Sequence, residues 1–158
     1  MSNKEILITN KSMIEPKHLN EHEPYEYYKY EVTPRSKESR CYAAFYEIPP
    51  GKANYPYHYH LNREEVFYII SGSGILETPN GKKTISAGDI IVCPPSGRGA
   101  HRIVNTSQNE MLVYLDVDAI GYPDIAYYPN SDKVGIILHS EANTFYKINA
   151  NVEYYEGE

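Results

Sequence analysis

Short runs of alternating apolar and polar residues dominate the chain, and helical spacing is scarce. Tyr25 to Val32 alternates aromatic and charged side chains. Cys41 to Ile48 reads as a strong strand, and Pro49-Pro50-Gly51 ends it. Tyr57 to His60 is a short strand candidate. Glu65 to Ser71 is rich in β-branched and aromatic residues, which suit a half-buried pleated surface. Gly74 to Thr78 and Lys82 to Ile85 flank Pro79-Asn80-Gly81, and Asn-Gly between two strand-like runs is a strong hairpin signal. Ala87-Gly88-Asp89 turns the chain into Ile90-Ile91-Val92. A Pro- and Gly-rich loop from Pro94 to Gly99 then leads to His101 to Asn105, and Met111 to Val117 is a further strand. This succession predicts an all-β protein, an antiparallel sandwich or barrel.

The pattern divides the chain into three parts. Residues 1–24 form an N-terminal arm suited to add an edge strand or to pair with a second subunit. Residues 25–118 form the barrel, and residues 119–158 an extension packed on the same domain. In that extension Tyr127 to Asp132 reads as a turn-like loop, followed by strands at Val134 to Leu138 and Thr144 to Ile148.

Composition narrows the picture. The 158 residues suffice for one domain with a core, and a hydrophobic share of 41% argues against disorder. No run approaches the ~18 apolar residues of a membrane span. Met1 to Ile8 holds too short an apolar stretch for a secretory signal, so a soluble, cytoplasmic protein is expected. Fifteen Lys and Arg against 21 Asp and Glu give a formal charge of −6, which argues against nucleic acid as a partner and leaves room for a locally basic pocket. Cys41 and Cys93 lack CxxC spacing and are expected to be buried thiols. The 17 Tyr against 3 Phe fit half-exposed sheets, with a Tyr-lined pocket or a dimer surface as the sharper reading.

The chemistry concentrates in His58-Tyr59-His60, Glu65 and His101. Side chains alternate along a strand, so His58 and His60 share one face. Glu65, past a short turn, can reach the same point from the neighbouring strand. Three imidazoles and a carboxylate suit a divalent transition metal with coordination positions left open. Only one of Glu64 and Glu65 can face such an ion, and Glu65 shares its parity with Phe67 and Ile69. Ile103 and Asn105 lie on the face of His101, Asn105 as a structural hydrogen-bonder. His18, His22 and His139 read as ordinary surface or core residues. Arg98 is either a solvated loop charge or a group that binds a carboxylate or phosphate bidentately. Tyr68 and Tyr114 are candidate pocket walls. Tyr57 and Tyr59 are weaker ones, because they point away from the side His58 and His60 face.

Two spacings connect these residues. One reads Gly51-(six residues)-His58-x-His60-(four)-Glu65-(six)-Gly72, the other Gly88-(five)-Pro94, a loop, then His101-(three)-Asn105. Together they resemble the paired motifs of the cupin superfamily, with one extra residue before His58 and with His101 two residues later than the family pattern. The resemblance covers Gly51 to Asn105 directly. It implies a small single-domain cupin, a jelly-roll-like β-barrel of two antiparallel sheets with a metal near its open mouth, and it places the ligands at His58, His60, Glu65 and His101. In the family the ion is variously iron, manganese, nickel, copper, zinc or cobalt. Family activities include dioxygenases, isomerases, decarboxylases and epimerases, alongside non-enzymatic binding modules.

Two functions from different classes are therefore expected. One is a metalloenzyme of dioxygenase or isomerase type acting on a small molecule, by polarising a carbonyl or activating O₂. The other is a sugar- or carboxylate-binding sensor without turnover. A homodimer is expected in either case, since cupin barrels pair through their sheets.

Overall fold

The computed structural model describes residues 5–33, 39–138 and 142–158; His139 lies outside them. The strands, in chain order, are β1 (Lys17–His22), β2 (Tyr25–Glu31), β3 (Cys41–Ile48), β4 (Tyr59–His60), β5 (Glu64–Ser71), β6 (Ser73–Thr78), β7 (Gly81–Ser86), β8 (Ile90–Cys93), β9 (Arg102–Val104), β10 (Leu112–Ala119), β11 (Asp124–Tyr128), β12 (Lys133–Ile137) and β13 (Thr144–Lys147). One sheet runs β1-β2-β3-β10-β5-β8, and the other strands form β13-β12-β11-β4 and β7-β6-β9. Backbone bridges from His58 to His101 and from Ala53 to Val104 join these two groups into a second layer. The named strand pairs are antiparallel. The result is the antiparallel arrangement expected from the strand pattern, with the jelly-roll form that the family resemblance implies.

Period-two alternation builds the core. Tyr42, Ala44, Tyr46 and Ile48 on β3 are buried, as are Leu112 and Tyr114 on β10 and Phe67 and Ile69 on β5. Leu76, Ile85 and Ile103 meet them from the second layer. Ile48, Ile69, Ile103 and Leu112 are fully enclosed, and each such side chain stabilises the fold by about 1.5–3 kcal/mol. Gly72 joins β5 to β6 at φ +80, where a Cβ would strike the Met111 carbonyl, so this tight link needs glycine.

Two expectations are corrected, the loop at Tyr127 and the burial of Cys41. Tyr127 and Tyr128 end strand β11 and do not open a loop; the turn begins at Pro129. The Pro-Asn-Ser-Asp signal is real but acts two residues later, because pairing with both β4 and β12 holds the two tyrosines extended. The segment after residue 118 supplies β11 to β13, so it forms part of the second layer. Cys41 is exposed at the start of β3, on the parity opposite Tyr42, and only Cys93 is buried. The arm contributes β1, an edge strand whose six residues are all exposed. No helix among the described residues is long and apolar enough to cross a membrane.

Candidate metal centre

Backbone pairing brings the histidines together. His58 N donates to the His101 carbonyl at 3.1 Å, and His101 N donates back to His58 at 2.8 Å. This reciprocal pair sets the two rings side by side, their centroids 4.8 Å apart. His60 lies two residues on, its ring centroid 5.0 Å from that of His58. Glu65 reaches in from the facing sheet, on the buried parity of Phe67 and Ile69, while Glu64 is exposed. The Glu65 carboxylate stands between two rings: Oε1 is 3.5 Å from His60 Nε2, and Oε2 is 3.5 Å from His101 Nε2. His58, His60 and Glu65 each offer a ligand atom within 4.8 Å of the others. All four residues are buried.

The far side of each ring fixes its tautomer. His58 Nδ1 lies 2.9 Å from the Pro56 carbonyl, and His101 Nδ1 lies 2.9 Å from the Gly99 carbonyl. A carbonyl only accepts, so Nδ1 must carry the proton. His60 Nδ1 contacts the Asp124 carboxylate, which imposes the same assignment. The Nε2 lone pairs of His60 and His101 therefore face one carboxylate, that of Glu65. Burial, reinforced by His101 and His60, pushes the His58 imidazole well below its ordinary pKa, so a proton does not resolve the crowding there. His58, His60 and Glu65 together could hold a metal ion, with hydrogen-bonded partners behind both rings already in place; His101, whose Nε2 faces the Glu65 carboxylate, lies outside that group of three.

The loop before His101 explains one of these partners. Gly99 packs so closely on Pro94 that a Cβ would overlap the Pro94 carbonyl oxygen. That fold turns the Gly99 carbonyl onto the His101 ring.

A second wall faces the histidines. Arg63 and Asp118 are almost fully enclosed, and Asp118 pairs with Glu65 across β10 and β5. Arg63 Nη1 donates to Asp118 at 3.0 Å, and its Nε lies 3.6 Å from Asp124. Burial alone would raise the Asp124 carboxyl, but His60, Asn62 and Arg63 hold it below the usual range. Asp116 behaves in the opposite way. Burial first, then the Asp118 charge and a hydrogen bond to Asp118, raise it well above the usual range.

A family model described as a cupin domain matches residues 44–118. Residues 44–118 form a cupin domain. A proposed sugar phosphate isomerase from Acidithiobacillus ferrooxidans is 25% identical, with a TM-score of 0.79 over 95% of this chain and 97% of that one. A sugar phosphate isomerase from Silicibacter pomeroyi shares 17% identity and a TM-score of 0.78 over 91% and 94%, a likeness of fold. A protein from Thermotoga maritima proposed as an oxalate decarboxylase is 25% identical, with a TM-score of 0.62 over 73% of this chain and 100% of that one. No curated protein matches the sequence.

In this cupin the two walls enclose a cavity of about 530 Å³, lined by His58, His60, Glu65, His101, Arg63, Asp116 and Asp118 at one part and by Lys17, Lys29 and Lys133 elsewhere. Of the three residues expected at a substrate wall, only Tyr114 lines this space. Tyr68 is 45% exposed on the outer parity of β5, opposite Glu65 and Phe67. Arg98 lies exposed on the turn Gly97–Gly99 and borders a separate cavity of about 400 Å³ with Leu76, Ile85 and Cys93. Tyr59 stacks on Tyr127 at 5.2 Å, away from the histidines. Asn105 is structural: its amide donates to the Ile48 and Glu110 carbonyls, both at 2.7 Å.

Sequence reasoning missed Arg63, Asp116, Asp118 and Asp124. The signal for two of them was present, since Leu112, Tyr114, Asp116 and Asp118 recur at period two along β10. Arg63 likewise shares the parity of Glu65. Asp124 gave no signal, because its role depends on β11 pairing with β4, which sets Ala126 beside His60.

Proposed function

We propose that this cupin is a divalent-metal enzyme that isomerises a small anionic hydroxycarbonyl compound of the sugar phosphate type, with His58, His60, Glu65 and His101 as metal ligands. One observation carries the reading: two enclosed carboxyl groups, Asp116 and Asp118, face the same cavity as the three imidazoles. Isomerisation next to a carbonyl moves a proton from one carbon to its neighbour, so it needs a base and an acid on one side of the substrate. Asp118, held by Arg63, is the carboxylate suited to accept. Asp116 is the acid suited to return a proton, and the hydrogen bond between them lets the pair reset. A bound divalent ion would polarise the substrate carbonyl. Lys29 on β2 and Lys133 on β12 flank the cavity from opposite layers and complement a phosphate. The likeness to the Acidithiobacillus protein along nearly the whole chain supports the substrate class.

The test is solvent exchange. The metal-loaded protein, incubated in D₂O with pentose and hexose phosphates, is expected to place deuterium on substrate carbon, read by proton NMR. Stabilisation by these compounds with no deuterium incorporated by any of them would replace the isomerase reading with that of a binding module.

We also propose that the chain works as a homodimer. Supporting this, β8 is a sheet edge with Ile90 and Val92 exposed, and the arm exposes Ile6, Leu7 and Ile8. Light scattering is expected to give about twice the 18.1 kDa chain mass, and a monomer mass refutes it.

A further inference from the structure

We infer that Arg63, Asp116 and Asp118 form a subsite beside the metal centre that reads hydroxyl groups, taking the polyhydroxylated end of a substrate and rejecting a second carboxylate or a phosphate. The inference rests on the reading that this cavity receives a substrate, and it names what the enclosed wall recognises.

Donors and acceptors on this wall are only partly used. Arg63, Asp116 and Asp118 are 4%, 6% and 1% exposed, and all three line the cavity. A guanidinium carries five N–H donors in a fixed fork. Here Nη1 donates to Asp118, whereas Nε and Nη2 are buried with no hydrogen-bond partner among the described residues. Asp116 and Asp118 present four carboxyl oxygens. Arg63 Nη1 serves one, and neither Oδ1 has a hydrogen-bond partner among the described residues. The wall thus has two unused donor groups, of which Nε lies 3.6 Å from Asp124, beside unused acceptor positions.

A hydroxyl both accepts and donates, so it can take an N–H from Arg63 Nη2 and give its own hydrogen to a carboxyl oxygen. Two neighbouring hydroxyls satisfy the wall better than one, as on a sugar chain. A carboxylate or phosphate supplies only acceptors. It would meet Arg63 Nη2 favourably but set its charge against Asp118 and Glu65, which are cross-strand neighbours. An anionic group is therefore directed to Lys29 and Lys133, and the carbon bearing hydroxyls points toward Arg63. Oxalate, with a carboxylate at both ends, does not suit the arrangement.

Isothermal titration of the metal-loaded protein tests this with a hexose phosphate, a pentose phosphate, glycerol phosphate, inorganic phosphate and oxalate. Affinity is expected to rise with hydroxyl number, with the best sugar phosphate at least about tenfold tighter than inorganic phosphate or oxalate. Equal or tighter binding of inorganic phosphate or oxalate overturns the inference. Asp118→Asn is expected to weaken the best sugar phosphate by at least about tenfold while leaving inorganic phosphate within about twofold. Equal losses for both probes, or no loss for either, also overturn it. If Asp118→Asn does not fold, as judged by circular dichroism, the series on the unaltered protein decides alone. Hydroxyl-dependent binding without deuterium exchange would refute the isomerase reading and leave the subsite standing. Exchange with binding indifferent to hydroxyls would do the reverse.

Discussion

The two walls of the cavity are equally buried and solve burial in opposite ways. On the side of β4 and β9, His58, His60 and His101 are each held from behind by a hydrogen-bond acceptor. Each spends its Nδ1 proton on an outward acceptor and turns a bare nitrogen inward. On the side of β5 and β10, Asp116 and Asp118 are kept tolerable by a retained proton and by Arg63. An enclosed carboxylate needs a partner far more than an enclosed neutral imidazole does. The histidine wall, with its Nδ1 positions engaged, is therefore suited to a cation. On the carboxylate wall burial favours the protonated form of Asp116. Glu65 stands between them, facing two of the imidazoles while neighbouring Asp118 in the sheet.

The strongest way to break this contrast is to strip the histidine wall. His58→Ala or His101→Ala is expected to lower bound metal from about one ion per chain to a small fraction, measured by elemental analysis after metal-supplemented expression. Asp124→Asn keeps all four ligands but loses the carboxylate behind His60, and its expected cost is about 10–100-fold in metal affinity. A variant of His58 and His101 that keeps full metal content would remove the proposed centre.

On the other wall the effect moves from binding to rate. Asp116→Asn keeps the shape and removes the transferable proton. Turnover or deuterium exchange is expected to fall by about 10²–10⁴-fold, with metal content unchanged. Loss of metal together with rate would mean that the two walls are not separable in the way proposed.

This asymmetry also explains what could be read from the chain. The histidine wall is local in sequence. His58 and His60 sit two apart on one strand and Glu65 follows one short turn later, so strand parity alone aligns them. Paired motifs extended the assignment to His101. The carboxylate wall depends on long-range register, Asp118 opposite Glu65 and Asp116 opposite Phe67. No local pattern states which strand becomes the neighbour of β5. Asp124 is further removed, because β11 reads as the approach to a turn until its pairing with β4 is known. Arg98 misled for a related reason: its loop leads to His101, but the close packing of Gly99 on Pro94 leaves the Arg98 side chain exposed beside another cavity.

In the metal-free protein the walls carry opposite pH signatures. The His58 imidazole is lowered by burial and its histidine neighbours, so the unfolded chain binds its proton more readily. Stability from His58 is present above the unfolded value near 6.5 and is lost as pH falls below it, with a slope of at most about 1.4 kcal/mol per pH unit for one proton. Asp116 is raised, so its contribution is complete below the unfolded value near 3.8 and is lost as pH rises through the folded value. Across pH 5 to 7 the two slopes oppose each other, so the histidine part is read as a difference between chelator-treated proteins unfolded by urea. His58→Gln is expected to make stability fall more steeply with rising pH than in the unaltered protein, and an unchanged profile in that variant would assign the proton elsewhere.

The smallest expected effect falls on Tyr68, the residue that sequence reasoning placed at the pocket. It shares a strand with Glu65 but has the opposite parity, so its ring lies on the outer face of β5. Tyr68→Ala is therefore expected to change stability by no more than about 0.5 kcal/mol and to leave metal content and deuterium exchange at the level of the unaltered protein. The substitution also separates the two faces of one strand. A fall in exchange would carry the site through the sheet, and a lower mass by light scattering would place this outer face, with Ile90 and Val92, in the proposed dimer contact.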